Sequence, residues 1–291
     1  SKRLRQIALL MIGVVVGSTV TAETINALPR WPVSLLALTI AMTALIVVLP
    51  RYFTRVHGID TPTARLSAIP GALSVVLALA DELQVDERRV AVLQSLRLAI
   101  LMMAVPLVVS LGVDLGEGAQ VAKPLVGAPQ LLGLLAISAA GFLIARRFSV
   151  PAPALTGPMV ITGAIFASGT LSGQLPEPLM AAAFIVLGAS VGARFAGMDR
   201  AYLAGCVGMS AGGLTLSVII TALIAWPAAV YLDLPFMQMW LAMAPGGFDT
   251  MIALALALGV DPAFVAGHQL IRLLGLFMIV PFLFRGARRA P

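Results

Sequence analysis

Two arginines stand inside apolar runs, each three positions after a glutamine: Gln94 with Arg97, and Gln269 with Arg272. Each arginine lies 11 positions past an aspartate, Asp86 or Asp261. On helices that start at those aspartates, both guanidiniums sit ~16 Å deep, near the middle of a bilayer. A charge at that depth costs about 2.5–3.5 kcal/mol on insertion scales, so it must meet a partner or a wet cavity. One reading is a pair of anion-binding arginines related by a pseudo-twofold axis. The other is structural: each arginine caps the C-terminal carbonyls of a neighbouring short helix, or pairs with a buried carboxylate. His268 precedes Arg272 by four positions, so one helical face can present His268, Gln269 and Arg272 together. A histidine there can carry a coupling proton or serve as a neutral hydrogen-bonding residue.

Backbone breaks accompany these residues. Pro245-Gly246-Gly247 and the weaker Pro70-Gly71 interrupt apolar runs that are too short to cross a bilayer. A helix starting after such a break aims free N–H groups and a positive dipole end at the membrane interior, which favours an anion. Glycine at 71, 246 and 247 lets backbone approach a ligand. Asp249, Thr250 and Ser74 fall in the first turn after a break, where Asp249 either caps its helix or couples a cation. The candidate substrate-binding set is therefore Pro70, Gly71, Ser74, Gln94, Arg97, Pro245, Gly246, Gly247, Asp249, Thr250, His268, Gln269 and Arg272. Gly157-Pro158 supplies either a further break or a kink.

The elements that must hold these residues are membrane helices. The 291 residues are 60% hydrophobic and 11% charged, roughly half the charged fraction of a soluble domain. Apolar runs of about 20 residues recur along the chain. The net charge of +6 comes from basic residues scattered in short loops, which excludes a nucleic-acid-binding stripe. Cys206, the one cysteine, excludes an internal disulfide and reads as packing. Lys2, Arg3 and Arg5 before an apolar run look like a signal peptide, but Gly13 and Gly17 in that run match a later helix and favour a retained one. Two histidines and one cysteine form no metal set, and neither a P-loop nor a nucleophile elbow is present. The expectation is no enzyme, no metal and no cofactor.

A gapless internal repeat organises the chain. An offset of 175 pairs Gly13 with Gly188, Gly17 with Gly192, Pro70 with Pro245, Asp86 with Asp261, Gln94 with Gln269 and Arg97 with Arg272. Shared membrane composition does not pair Arg, Asp, Gln and Pro. His268 faces Leu93 across the repeat, so its role is asymmetric. The expected units are residues 1–115 and 116–291, with the acidic linker from Asp114 to Lys123 at the boundary. Nothing before Ser1 matches the segments from Leu125 to Ser172, so the natural protein is expected to carry roughly 50 further upstream residues as two helices.

Loop charge sets orientation. If the Pro-Gly elements dip in and return, Arg51, Arg55, Arg65, Arg88, Arg89, Arg146, Arg147, Arg194, Arg200 and the arginines from 285 to 289 share one face. The run from Phe248 to Gly259 would rise ~18 Å, too little to cross. A full repeat then has an odd number of crossings, so the two copies are inverted, as in many secondary transporters. The expected fold is all-α, a multi-pass bacterial inner-membrane protein with two re-entrant broken-helix hairpins and a cytoplasmic C-terminus.

Pro151-Ala-Pro-Ala-Leu-Thr-Gly-Pro158, Leu187-Gly-Ala-Ser-Val-Gly192, and Ala244-Pro-Gly-Gly-Phe-Asp-Thr-Met251 running on through His268 and Arg272 resemble the membrane AbrB family. Its members carry labels such as ammonia monooxygenase or regulator. The resemblance covers essentially the whole chain. It implies a relation to inverted-repeat carriers of organic anions. Members commonly hold an acidic residue near Asp249, often a Glu one place along. A small soluble DNA-binding regulator shares the family's name and bears no likeness to this chain.

The function expected is secondary transport of a small anionic organic solute through a midplane site between the repeats. The alternative is a membrane sensor or regulator of gene expression built on the same scaffold, and a channel is a weaker third. The partners expected are a small-molecule anion and the lipid bilayer, with no nucleic acid. The helix glycines leave a homo-oligomer open.

Overall fold

A computed structural model describes residues 2–20, 26, 29, 31–70, 76, 80, 85–110, 125–150, 152–173 and 175–283. Gly71, Ser74, the linker from Asp114 to Lys123 and the arginines from 285 to 289 lie outside the described residues, as does the side chain of Asp249.

The described residues are almost entirely helical. In chain order they form α1 (Lys2–Ser18), α2 (Trp31–His57), α3 (Thr61–Ala68), α4 (Glu87–Ser110), α5 (Ala128–Arg147), α6 (Pro153–Ala167), α7 (Glu177–Gly192), α8 (Arg200–Leu232), α9 (Phe236–Met243), α10 (Phe248–Ala257) and α11 (Pro262–Leu283). Three helices, α2, α5 and α8, are long and apolar enough to cross a membrane. Leu36, Leu132, Leu223, Trp226 and Val230 on these helices are exposed, the arrangement a lipid-facing surface requires. At 33 residues α8 is ~50 Å long, more than the hydrocarbon core needs. By contrast α3 and α9, at 8 residues each, rise only ~12 Å.

Helix boundaries recur at the spacing read from the sequence. Starts at Lys2, Thr61 and Glu87 return 175 positions later at Glu177, Phe236 and Pro262, and ends at His57 and Ala68 return at Leu232 and Met243. The caps recur as well. Asp86 Oδ1 accepts the Arg89 N–H at 2.9 Å, and Asp261 Oδ1 accepts the Phe264 N–H at 3.1 Å. Each thereby satisfies a first-turn donor that has no partner within its helix.

Two groups of helices pack side by side. In one, α6 lies between α1 and α5, and α1 also meets α7. In the other, α2 packs on α8, with α3, α4, α9 and α11 around that pair and α10 on α11, α9 and α4. The contacts of α1 with α10 and α11, and of α4 with α7, join the groups. The larger core holds Leu45, Leu49, Met239, Leu241 and Met251, all essentially inaccessible.

Small residues set the close approaches. A Cβ on Gly157 would lie 2.6 Å from the Gly141 carbonyl carbon, and one on Gly141 would lie 2.8 Å from the Gly157 oxygen. Gly157 and Pro158 thus sit inside a continuous α6, where the glycine admits the α5 backbone and no break occurs. Gly13 and Gly17 of α1 meet α6 in the same way, within one chain: a Cβ on Gly17 would lie 2.6 Å from the Met159 oxygen. Gly188 and Gly192, 175 positions later, differ: among the described residues nothing lies within 4 Å of a Cβ at either.

Candidate functional site

The site is built around the end of α9. Ala244 N–H donates to the Trp240 carbonyl at 2.7 Å, and the chain then turns, with Gly246 N–H donating to the Ala244 carbonyl at 2.8 Å. Pro245 has no N–H to continue the helix. A Cβ on Gly246 would meet the Met251 side chain, whose flexible end would have to move aside. That helix starts at Phe248 after Gly247, which offers no side-chain cap. Its first N–H groups therefore have no acceptor from their own helix. Thr250 is buried in this first turn.

The carbonyls left over at the end of α9 are taken by α11. Gln269 Nε2 donates to Leu241 O at 2.7 Å and lies 3.4 and 3.3 Å from the oxygens of Ala242 and Ala244. Arg272 donates through Nη1 to Ala244 O at 2.7 Å and through Nη2 to Gly246 O at 2.8 Å. A fixed positive charge at the negative end of a helix dipole is favourable, and charge-assisted bonds of this length are the strong class. Gln269 and Arg272 are 0% and 3% exposed, so these carbonyls replace water for both.

The first half repeats the glutamine. Gln94 Nε2 donates to Leu66 O at 3.0 Å, and Gln94 with Leu66 stands 175 positions before Gln269 with Leu241. Pro70 is buried just after α3. The arginine does not repeat. Arg97 makes no hydrogen bond to a carbonyl among the described residues; it is 6% exposed, and its Nε is buried without a partner. It lines a small cavity between α2, α3, α4 and α8, with room for about one water, together with Ser67, Ser210 and Ser217. Ser67 Oγ also has no partner. Neither Arg97 nor Arg272 has a carboxylate within ion-pair distance among the described side chains.

These serines were not singled out in the sequence. The available signal was the seven-residue spacing of Ser210 and Ser217, which places two hydroxyls on one face of an apolar helix. Nothing local connects them to Ser67 or Arg97; the packing of α8 against α4 does that.

His268 is fully enclosed. Its ring lies 4.9 Å from the Trp31 ring and 4.1 Å from the Phe264 ring, centre to centre. Nδ1 is 2.9 Å from the Phe264 carbonyl and Nε2 is 2.7 Å from Ser34 Oγ. A carbonyl only accepts, so Nδ1 carries a hydrogen. Ser34 Oγ also lies 2.9 Å from the Trp31 carbonyl. If Ser34 gives its one hydrogen to Nε2, the ring is neutral; if it gives it to Trp31, Nε2 must be the donor and the ring is a cation. Both nitrogens are engaged by protein in this conformation. Leu93, in the matching position, is packed in the apolar core.

Among the described residues, no three of His, Cys, Asp and Glu converge as a metal site would require. Asp261 is committed to the N–H groups of Ala263 and Phe264.

Residues 1–288 match the family model described as "Transition state regulatory protein AbrB". The chain is 27% identical over 287 residues to the Escherichia coli (strain K12) protein named "Putative regulator AbrB", covering 94% of this chain and 80% of that one. It is 26% identical over 248 residues to the Bacillus subtilis (strain 168) "Uncharacterized protein YhjN", covering 78% of this chain and 63% of that protein's length. A match that runs through every helix described above, from Lys2 to Leu283, makes this chain a member of the AbrB family.

Proposed function

We propose that the protein is a secondary transporter of a small anionic organic solute, with its site at the membrane midplane between two inverted repeats, residues 1–115 and 116–291. The observation that carries the reading is the pair of equivalent caps, Gln94 to Leu66 and Gln269 to Leu241, on helices whose boundaries recur at 175 positions. Each cap anchors a short helix that ends at a Pro-Gly break beside a buried arginine. In this reading α9 and α10 form one re-entrant hairpin, and α3 with the segment after Pro70 forms the other. Helix N-termini directed at the midplane, together with two guanidiniums, favour a negative solute. The α1–α5–α6–α7 group and the α2–α8 group are the bodies that move against each other.

This reading needs no bond chemistry and makes the protein a carrier rather than an enzyme. It sits in a bacterial inner membrane with its C-terminus on the cytoplasmic side. The experiment is uptake of a panel of labelled small carboxylates into proteoliposomes holding the purified protein. Saturable uptake above empty vesicles supports transport, and its absence across the panel counts against it. The printed name of the Escherichia coli relative, a regulator, favours a second reading in which the same site senses its ligand. Ligand binding without flux would select that one.

A further inference from the structure

The two arginines, equivalent by position, have different surroundings, and we propose that they have divided the work. Arg272 is a structural cap, and Arg97 alone binds ligand, in a serine-lined pocket that takes a single monovalent anionic group of halide or carboxylate size. The proposal rests on the reading of the chain as an anion-binding protein, and is independent of whether the anion is moved.

The geometry separates the residues. Each terminal nitrogen of Arg272 donates once, to the oxygens of Ala244 and Gly246, while its Nε, like that of Arg97, is buried without a partner among the described residues. Arg97 is as deeply buried, yet forms no such bond among the described residues and faces empty space. A guanidinium has five N–H donors and no acceptor, so a buried one with no oxygen bonded to it among the described residues has donors to offer a ligand. Ser67, 3% exposed, adds an O–H with no partner. Ser210 donates to the Leu93 carbonyl over a long 3.3 Å and can turn to a better acceptor. Ser217 is already bonded to Gly213 O at 2.7 Å, so it closes the wall without competing for the charge.

The serines of this pocket do not recur at the spacing of 175. At the positions 175 away from Ser67, Ser210 and Ser217 stand Ala242, Leu35 and Met42. Hydroxyls that could support an anion beside Arg97 are thus replaced by apolar side chains, while the arginine is kept. Retaining a buried arginine without the hydroxyls fits a residue whose partners are backbone carbonyls.

Charge and size define the ligand. One guanidinium, with no carboxylate near it among the described side chains, calls for one negative charge. The enclosed part of the cavity admits about one water-sized group. A chloride ion, or the carboxylate head of a monocarboxylate whose remainder lies outside, is somewhat larger than this and enters as the Arg97 and Ser67 side chains turn toward it; a larger, doubly charged sulfate is disfavoured on both counts.

The test uses the full chain in nanodiscs in buffer free of small anions, titrated with chloride, acetate or sulfate while the unfolding midpoint and isothermal heat are followed. The expected result is a saturable upward shift with chloride or acetate, and none with sulfate. Arg97→Gln is expected to weaken that response at least tenfold, and Ser67→Ala three- to tenfold. Arg272→Gln is expected to unfold earlier but keep the shift. Ser67→Ala and Ser210→Ala stand in if Arg97→Gln does not fold. Absence of any shift in the natural chain, or a shift of undiminished affinity in Arg97→Gln or in the serine variants, overturns the proposal, as does one that Arg272→Gln abolishes. A response to acetate and not chloride assigns the pocket to a carboxylate head, the reverse assigns it to inorganic halide, and both uphold it. The anion shift without uptake in proteoliposomes leaves this assignment standing and removes transport. Uptake that depends on Arg272 and not on Arg97 does the opposite.

Discussion

Arg272 donates to the carbonyl of Ala244, 28 positions earlier, over 2.7 Å, and through its second terminal nitrogen to Gly246. The last turn of α9 and the Pro245 turn are thereby tied to the middle of α11 by a charge. Removing that charge takes the Arg272 donor from the Gly246 carbonyl and leaves the Ala244 carbonyl with the Gly246 N–H and the more distant Gln269 amide, at a cost of about 3 kcal/mol. Arg272→Met is expected to lower the unfolding midpoint by roughly 5–10 °C, more than Arg97→Met does, as read by thermal unfolding in one detergent. Equal losses at the two positions would mean that Arg97 is also a cap.

The paired glutamines allow a matched comparison. Gln94→Leu and Gln269→Leu each remove one buried hydrogen bond to a short-helix carbonyl, worth about 1 kcal/mol, plus the penalty of an unsatisfied acceptor. Losses of similar size are expected, with Gln269→Leu the larger because its nitrogen also lies near Ala242 and Ala244. Denaturant titration of the two variants side by side gives the comparison. A neutral Gln94→Leu would show that the first-half cap is not used.

Glycines matched by the repeat are expected to respond differently to the same change. Gly13→Ala drives a methyl into the Leu155 carbonyl of α6, an overpacking that costs about 1–3 kcal/mol. Gly188→Ala meets nothing within 4 Å and gains helix propensity, so a change within about 0.5 kcal/mol is expected. Unfolding midpoints of the two variants decide it. A large loss at Gly188 would reveal a neighbour seated on α7.

His268 has Phe264 O on one nitrogen and Ser34 Oγ on the other. His268→Gln keeps a polar group but cannot span both partners, so lower thermal stability is expected, with the pH profile of any uptake unchanged. A profile that flattens in this variant would instead make the ring the coupling-proton carrier, with Ser34 as the group that reports its state.

Much of this was legible before any coordinates. Continuous apolar runs of about 20 residues point to helices, which satisfy their own backbone in so apolar a chain. The 175-residue spacing marked Gln94, Gln269, Arg97 and Arg272 as equivalent, and the aspartates 11 positions earlier marked the helix starts found at Glu87 and Pro262. The same residues left open whether an arginine serves backbone or ligand. That choice depends on which oxygens come within 3 Å, and Ala244 and Gly246 reach Arg272 only because α9 ends against α11. The serines around Arg97 were invisible for a related reason. Ser67 lies on α3 and Ser210 and Ser217 on α8, more than 140 positions apart, and no period along one helix relates them. Pattern along the chain specifies which residues repeat, whereas the packing of α3 and α8 against α4 makes two copies of one arginine unequal.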